Sequence, residues 1–237
     1  MEGVDLKGSV MTNRSPNAVR SLVALRRLAW GLRGVGLSAA WLVGVATAGA
    51  VVSMRNAYPR APQAAPAGGL PPATPVPVGR LAVAVVLGAS GSVITDALGP
   101  YEVFARSPTF FVYTVSASRP AAVLSGGLAV VPDYSLEDVD AGLAPEPDVI
   151  VVPAVAAPNG KKEAPLRDWI TRRTDQGAHF LGVCNGSRLL AATGLLDGRR
   201  ATSHWSSIRS LERSRPRVEW VRGQRYVQDR TLTTTAG

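Results

Sequence analysis

Read as a string of apolar and polar positions, the chain changes character near Arg80. Beyond it, four apolar runs recur: LAVAVVLG at 81–88, FFVYTVSA at 110–117, PDVIVVP at 147–153 and AHFLGV at 178–183. Runs that are continuously apolar, rather than alternating, predict strands buried on both faces of a parallel sheet. Helical patterns lie between them. Gly99-Pro100 opens one, with proline at a favoured first-turn position. Pro165 to Gln176 gives a second, and Asn185 to Thr193, ending at Gly194, a third. Strands alternating with helices predict an α/β fold whose sheet is covered on both faces. No internal repeat is visible.

Before Arg80 the pattern is different. Residues 34–54, GVGLSAAWLVGVATAGAVVSM, form 21 positions without a charge, bracketed by Arg33 and Arg55. About 20 apolar residues suffice to cross a bilayer as a helix. Six basic residues precede the run (Lys7, Arg14, Arg20, Arg26, Arg27, Arg33), and only Arg55 and Arg60 follow closely. The expectation is a single-pass membrane protein, with residues 1–33 a basic cytoplasmic leader and the body outside. A buried core helix is a plainer reading, though nothing nearby would cover it. Ala48-Gly49-Ala50 also resembles a signal-peptide cleavage site, which would give the same topology. Residues 55–79 carry seven prolines and read as a semi-rigid spacer.

Charge and cysteine count narrow the chemistry. The net charge is +9, but residues 1–60 hold 8 Lys/Arg against 2 Asp/Glu, and residues 61–237 hold 18 against 15. The excess belongs mostly to the leader, so nucleic acid is not an expected partner. Nine arginines between Arg199 and Arg230 lack interleaved aromatics and read as a solvated face. One cysteine forms no internal disulfide, and His179 and His204 are the only histidines, so no metal site is predicted. GASGSV at 88–93 lacks both the Lys-Ser/Thr of a phosphate loop and dinucleotide spacing. No cofactor is expected. Trp169, Trp205 and Trp220 read as core or rim residues, and Glu102 as a surface group.

The lone Cys184 lies in FLGVCNGSRLLAATGLLDGRRATSHW, residues 180–205. It stands at the carboxyl end of a predicted strand and the start of a predicted helix. Ligands gather at such ends of an open α/β sheet. A helix N-terminus favours an anion, so the thiolate is expected to be stabilised. A thiol at a tight strand-to-helix turn is the sulfur analogue of a serine elbow. The plainer alternative is a buried, inert cysteine.

GVCNGSRLLAATGLLDGRRATSHW closely resembles the cysteine-elbow region of the DJ/PfpI family, within the class I glutamine-amidotransferase-like superfamily. The subgroup it is most similar to contains isonitrile hydratases and the ligand-sensing halves of AraC-type regulators. ITDALGPYEVFA (94–105) resembles that subgroup's first-loop motif, and RYVQDRTLTTTAG (225–237) its closing hairpin. The resemblance spans about 80–237 and implies a flavodoxin-like sandwich. It also implies site residues: Cys184 as nucleophile, Asp96 as the acid that holds the thiol or moves a proton, and His204 as a neighbour of the nucleophile. Asp96 has a plainer reading as a turn or cap residue, and His204 as a first-turn helix residue capped by Thr202 or Ser203. Asn185, Gly186 and Ala154 are the candidate substrate or oxyanion positions.

Two departures qualify the resemblance. The family shows Pro-Gly-Gly after the third strand, whereas this chain has Pro153-Ala154-Val155, whose side chains are expected to crowd an oxyanion site. The family also continues past the residue matching Gly237 into a further helix over the sheet. The expectation is a truncated domain or an exposed flank. The functions implied are an enzyme of hydratase, hydrolase or lyase type acting on a small electrophile, or a non-catalytic ligand-sensing module. A small-molecule ligand is the expected partner, and a homodimer is allowed.

Overall fold

The computed structural model describes residues 38–52 and 75–237. The basic leader and the greater part of the spacer, 55–74, lie outside the described residues. Residues 38–52 form a helix, α1, with Trp41, Leu42 and Val43 exposed. Among the described residues no helix is long and apolar enough to cross a membrane. The transmembrane helix expected over 34–54 is therefore not seen as such, and both ends of that run fall outside the described residues.

Strand β1 (Leu81–Leu87) explains its own composition. It pairs in parallel with β2 (Phe110–Ser116) on one side and β6 (Val149–Val152) on the other. Ala82, Ala84 and Val86 pack with Ile150, Trp169 and Leu189 on one face. Val83, Val85 and Leu87 pack with Ala97 and Val151 on the other. A strand buried on both faces has no polar-tolerant position, hence the continuous apolar run. The sheet has seven strands in the order β10 (Tyr226–Asp229), β11 (Leu232–Thr235), β7 (His179–Gly182), β6, β1, β2, β5 (Tyr134–Ser135). All pairs are parallel except β10 with β11. That exception follows from a connection too short for a crossover, with Arg230 at φ 57 in the turn.

Helices α3 (Leu136–Asp140), α4 (Ala164–Asp175) and α5 (Gly186–Ala192) contribute to the core on one face of the sheet. Helix α2 (Ile94–Ala105) and the hairpin β3 (Ala122–Val123)/β4 (Ala129–Val130) cover part of the other. A small parallel pair, β8 (Arg200–Ala201) and β9 (Glu219–Trp220), flanks α6 (Trp205–Ser214). Pro165 sits in the first turn of α4, as the sequence predicts, and α5 begins one residue after the predicted start, with Asn185 at its N-cap position and no side-chain capping bond. Helix α2 does not open at Pro100. It begins at Ile94 and carries Pro100 inside it. The early start has a non-local cause, because the Ile94 N–H donates to Ser125 Oγ at 3.0 Å. A proline there withholds the N–H that the Asp96 carbonyl would otherwise accept.

On the α2 side, the sheet is open beyond that helix. A groove of about 590 Å³ runs over it, lined by Leu81, Phe104, Val149, His179, Leu181 and Thr233. Among the described residues, three of the nine arginines between Arg199 and Arg230 are ion-paired: Arg217 with Asp197, Arg222 with Glu212, and Arg200 with Glu219. Glu102 pairs with Arg106 in solvent. Trp169 is fully buried, whereas Trp205 is 80% exposed and so is not a core residue.

Candidate active site

The carboxyl ends of β1, β6 and β7 converge where the chain passes from β1 to β2 on one side and β6 lies on the other, a switch point of the sheet. Each strand delivers one part of the site. From β1 the chain enters α2, whose first turn carries Asp96. From β6 it passes through Ala154, and from β7 it reaches Cys184.

Cys184 has φ 56, a left-handed conformation that costs a non-glycine residue about 1–2 kcal/mol. Its own backbone groups hold it there. The Cys184 N–H donates to Thr235 Oγ1 at 3.4 Å. Its carbonyl accepts from Ser187 Oγ at 3.1 Å and Ser203 Oγ at 3.5 Å, and both serines are fully buried. Gly186 makes the turn possible. A Cβ at that position would stand 1.9 Å from the Val152 carbonyl oxygen, so α5 starts in contact with β6 only because there is none. Strain of this kind, held by its surroundings, is typical of functional positions.

Asp96 is buried at 7% exposure. Its carboxylate accepts the Ala154 N–H at 3.3 Å and hydrogen-bonds the Cys184 thiol. Burial raises the Asp96 pKa above the ordinary carboxylate value, and the Ala154 N–H, the thiol and His204 act against that rise. The thiol is pushed up to about 11, first by burial and then by the negative charge of Asp96; the Asn185 N–H works the other way. The expected stabilisation of the thiolate by the helix start is thus present but outweighed.

His204 is the N-cap residue of α6 and lies beside the pair. Its Nδ1 is 2.7 Å from Ser206 Oγ, and its ring is 5.3 Å from that of Trp205. Gly237 lies against both: a methyl on it would be 3.6 Å from His204 Cδ2 and 3.8 Å from Cys184 Sγ.

The three candidate oxyanion positions separate. The Ala154 N–H is engaged by Asp96, and the Gly186 N–H donates to the Val183 carbonyl at 2.7 Å. Only Asn185 directs its N–H to the sulfur. Val155 does not act as a simple obstruction; its side chain packs against Gly88. Thr235, Ser187 and Ser203 are parts of the site that the sequence does not announce, since Thr235 reads as part of a hairpin, Ser187 as part of a helix and Ser203 as a helix cap. Among the described residues no cluster of three or more His, Cys, Asp or Glu side chains is disposed to hold a metal ion.

Comparison with known proteins places the chain in a family. Over 113 residues the chain is 38% identical to the isonitrile hydratase of Pseudomonas putida, a stretch covering 47% of each chain. Over 125 residues it is 32% identical to the HTH-type transcriptional regulator CdhR of Pseudomonas aeruginosa, covering 53% of this chain and 35% of the regulator. The matches thus span about half or less of the length of these curated relatives. A solved THiJ/PfpI family protein from Pseudomonas syringae superposes with a TM-score of 0.57 at 27% identity, over 74% of this chain and 70% of that one. A DJ-1 superfamily protein from Salmonella typhimurium, at 23% identity and TM-score 0.57 over 66% and 82% of the two chains, shares the fold. The DJ-1/PfpI family model matches residues 82–237. With two thirds of its length in that match, and with Cys184 at a strained elbow against a buried acid, the chain belongs to the DJ-1/PfpI family.

Proposed function

We propose that the domain acts on a small electrophilic carbon, with Cys184 as nucleophile and Asp96 as the group that takes and returns the proton. The observation that carries this reading is the left-handed Cys184 hydrogen-bonded to a buried Asp96. A thiol held neutral attacks well only if its proton leaves as the new bond forms. A carboxylate already bonded to it, with its basicity raised by burial, is suited to accept that proton. For an isonitrile, sulfur adds to the terminal carbon while Asp96 receives the thiol proton. Asp96 then delivers it to that carbon, giving a thioimidate. Water adds to the thioimidate carbon, and collapse of the adduct releases an N-substituted formamide and restores the thiol. His204 stands close enough to the pair to assist the second half. The similarity to an isonitrile hydratase supports an isonitrile as the first substrate to try.

The purified chain incubated with an isonitrile, an aldehyde and an amide tests the reading. Formamide production that is lost in Cys184→Ser and reduced at least about a hundredfold in Asp96→Asn is the expected outcome. No turnover of any of the three, with binding retained, would favour the sensing module. That second reading has one specific observation behind it: the Ala154 N–H is occupied by Asp96 and so is not free for a developing oxyanion. The uncharged run 34–54 and the basic leader support the further proposal that the domain is held outside the membrane by an N-terminal anchor.

A further inference from the structure

A second carboxylate lies behind the site and takes no part in the chemistry above. Glu163 ends the 3₁₀ turn Lys161–Glu163 and occupies the N-cap position of α4. It is fully buried, yet its side chain makes no capping bond to that helix. Among the described residues it has no ion-pair partner, and its Oε2 is buried with no hydrogen bond. A buried carboxylate oxygen without a partner weakens a fold. Local helix stability therefore does not account for the residue.

Its other oxygen shows what it holds. Glu163 Oε1 accepts from both the N–H and the Oγ–H of Ser90, each at 2.6 Å. Ser90 Oγ in turn accepts the Ala157 N–H at 3.1 Å. From there a ladder of bonds joins the loop after β1 to the loop after β6. The Ala156 N–H donates to the Gly91 carbonyl, and the Val93 N–H to the Ala154 carbonyl, both at 2.9 Å. Ser92 bridges Val155 between them. The last rung is the Ala154 N–H on the Asp96 carboxylate. The ladder is unbroken from Glu163 to the acid that touches the thiol.

We propose that Glu163 is a positioning residue: by clamping Ser90 it fixes the register of these two loops, and so the placement of Asp96 against Cys184. This rests on the reading of Cys184 and Asp96 as a working pair. A carboxylate is suited to the task because one of its oxygens can accept two converging donors at short distance. A slip of one rung would carry the Ala154 N–H away from Asp96 and loosen the contact with sulfur.

The test uses the full chain and the pH–rate profile of Cys184 alkylation by iodoacetamide, with thermal unfolding measured in parallel. Asp96→Asn is made in four backgrounds: unaltered, Glu163→Ala, Ser90→Ala and Glu163→Gln. In the unaltered background it is expected to lower the apparent thiol pKa. In Glu163→Ala and Ser90→Ala that shift should shrink by at least half. In Glu163→Gln, whose amide oxygen can accept both Ser90 bonds, it should be kept. Ser90→Ala, which retains the backbone bond, decides the matter if Glu163→Ala does not fold. An Asp96→Asn shift of the same size in every background, whatever happens to Tm, overturns the proposal. Loss of the shift in Glu163→Gln as well assigns the effect to charge rather than placement, and also overturns it. Absence of the shift in the unaltered protein removes the Cys184–Asp96 pair itself, a different failure that is visible in that one background.

Discussion

At Cys184 two costs fall on one residue, a left-handed backbone and a buried sulfur facing a carboxylate. The carboxylate bears a cost of its own. Because burial raises the folded pKa of Asp96, its contribution to stability is full below the ordinary value of 3.8 and is lost as pH rises through the folded value. Asp96→Asn does not bear that cost. Its Tm is therefore expected to exceed that of the unaltered chain by more at pH 7 than at pH 3, a stability gained by giving up function. A Tm advantage that narrows toward neutral pH would contradict burial as the dominant effect. That Cys184, Asp96 and His204 come to one end of the sheet was legible in the sequence because the family resemblance carries its motif residues onto a shared fold. Thr235, Ser187 and Ser203 were not, because they act on the backbone of the elbow. Their role exists only once that backbone has turned to φ 56.

Among the elements, the elbow between β7 and α5 depends on one absent atom. Gly186→Ala places a methyl 1.9 Å from the Val152 carbonyl oxygen and 2.9 Å from its carbon. Backbone on both sides must move, and a loss on the order of 3 kcal/mol or more, with loss of Cys184 reactivity, is expected. Gly198→Ala is a useful contrast. Its φ of 71 is positive, which that of Gly186 is not, but a Cβ there meets nothing within 4 Å, so only the backbone cost of about 1–2 kcal/mol applies. Denaturant unfolding of the two variants separates these; equal losses would mean that the close approach to β6 is not what limits position 186. Strand β1 was legible because burial on both faces leaves a continuous apolar run, and β2, β6 and β7 because their runs stay mostly apolar although one face of β7 borders the open groove. The start of α2 was not, because the group that accepts its first N–H, Ser125 Oγ, is far along the chain. Nor were the two-residue strands, which are too short for any periodicity to register.

For the molecule as a whole, the sheet order brings three loops to one end and leaves an open groove over the other end of the α2-side face. The same chain bears a basic leader and an uncharged run ahead of the domain. A topology reporter fused after Gly79 is expected to be active only outside the cytoplasm. Cytoplasmic activity would contradict the anchor. Hydropathy of the 34–54 run carries that expectation, and the described helix over 38–52 covers only its centre.

The central claim is that burial, together with the charge of Asp96, holds the Cys184 thiol neutral at rest, and that Asp96 receives its proton during attack. The most direct measurement is the pH–rate profile of iodoacetamide alkylation for the unaltered chain, Asp96→Asn and Glu102→Gln. The claim predicts a rate that is slow at pH 7 and still rising at pH 10, toward an apparent value of about 11. In Asp96→Asn, which removes the neighbouring charge, the profile should move down by about one unit or more, a roughly tenfold faster reaction at pH 8. Glu102→Gln, which alters only an exposed ion pair, should leave it in place. A profile centred near the ordinary thiol value of about 8.5, and identical in Asp96→Asn, would contradict the claim.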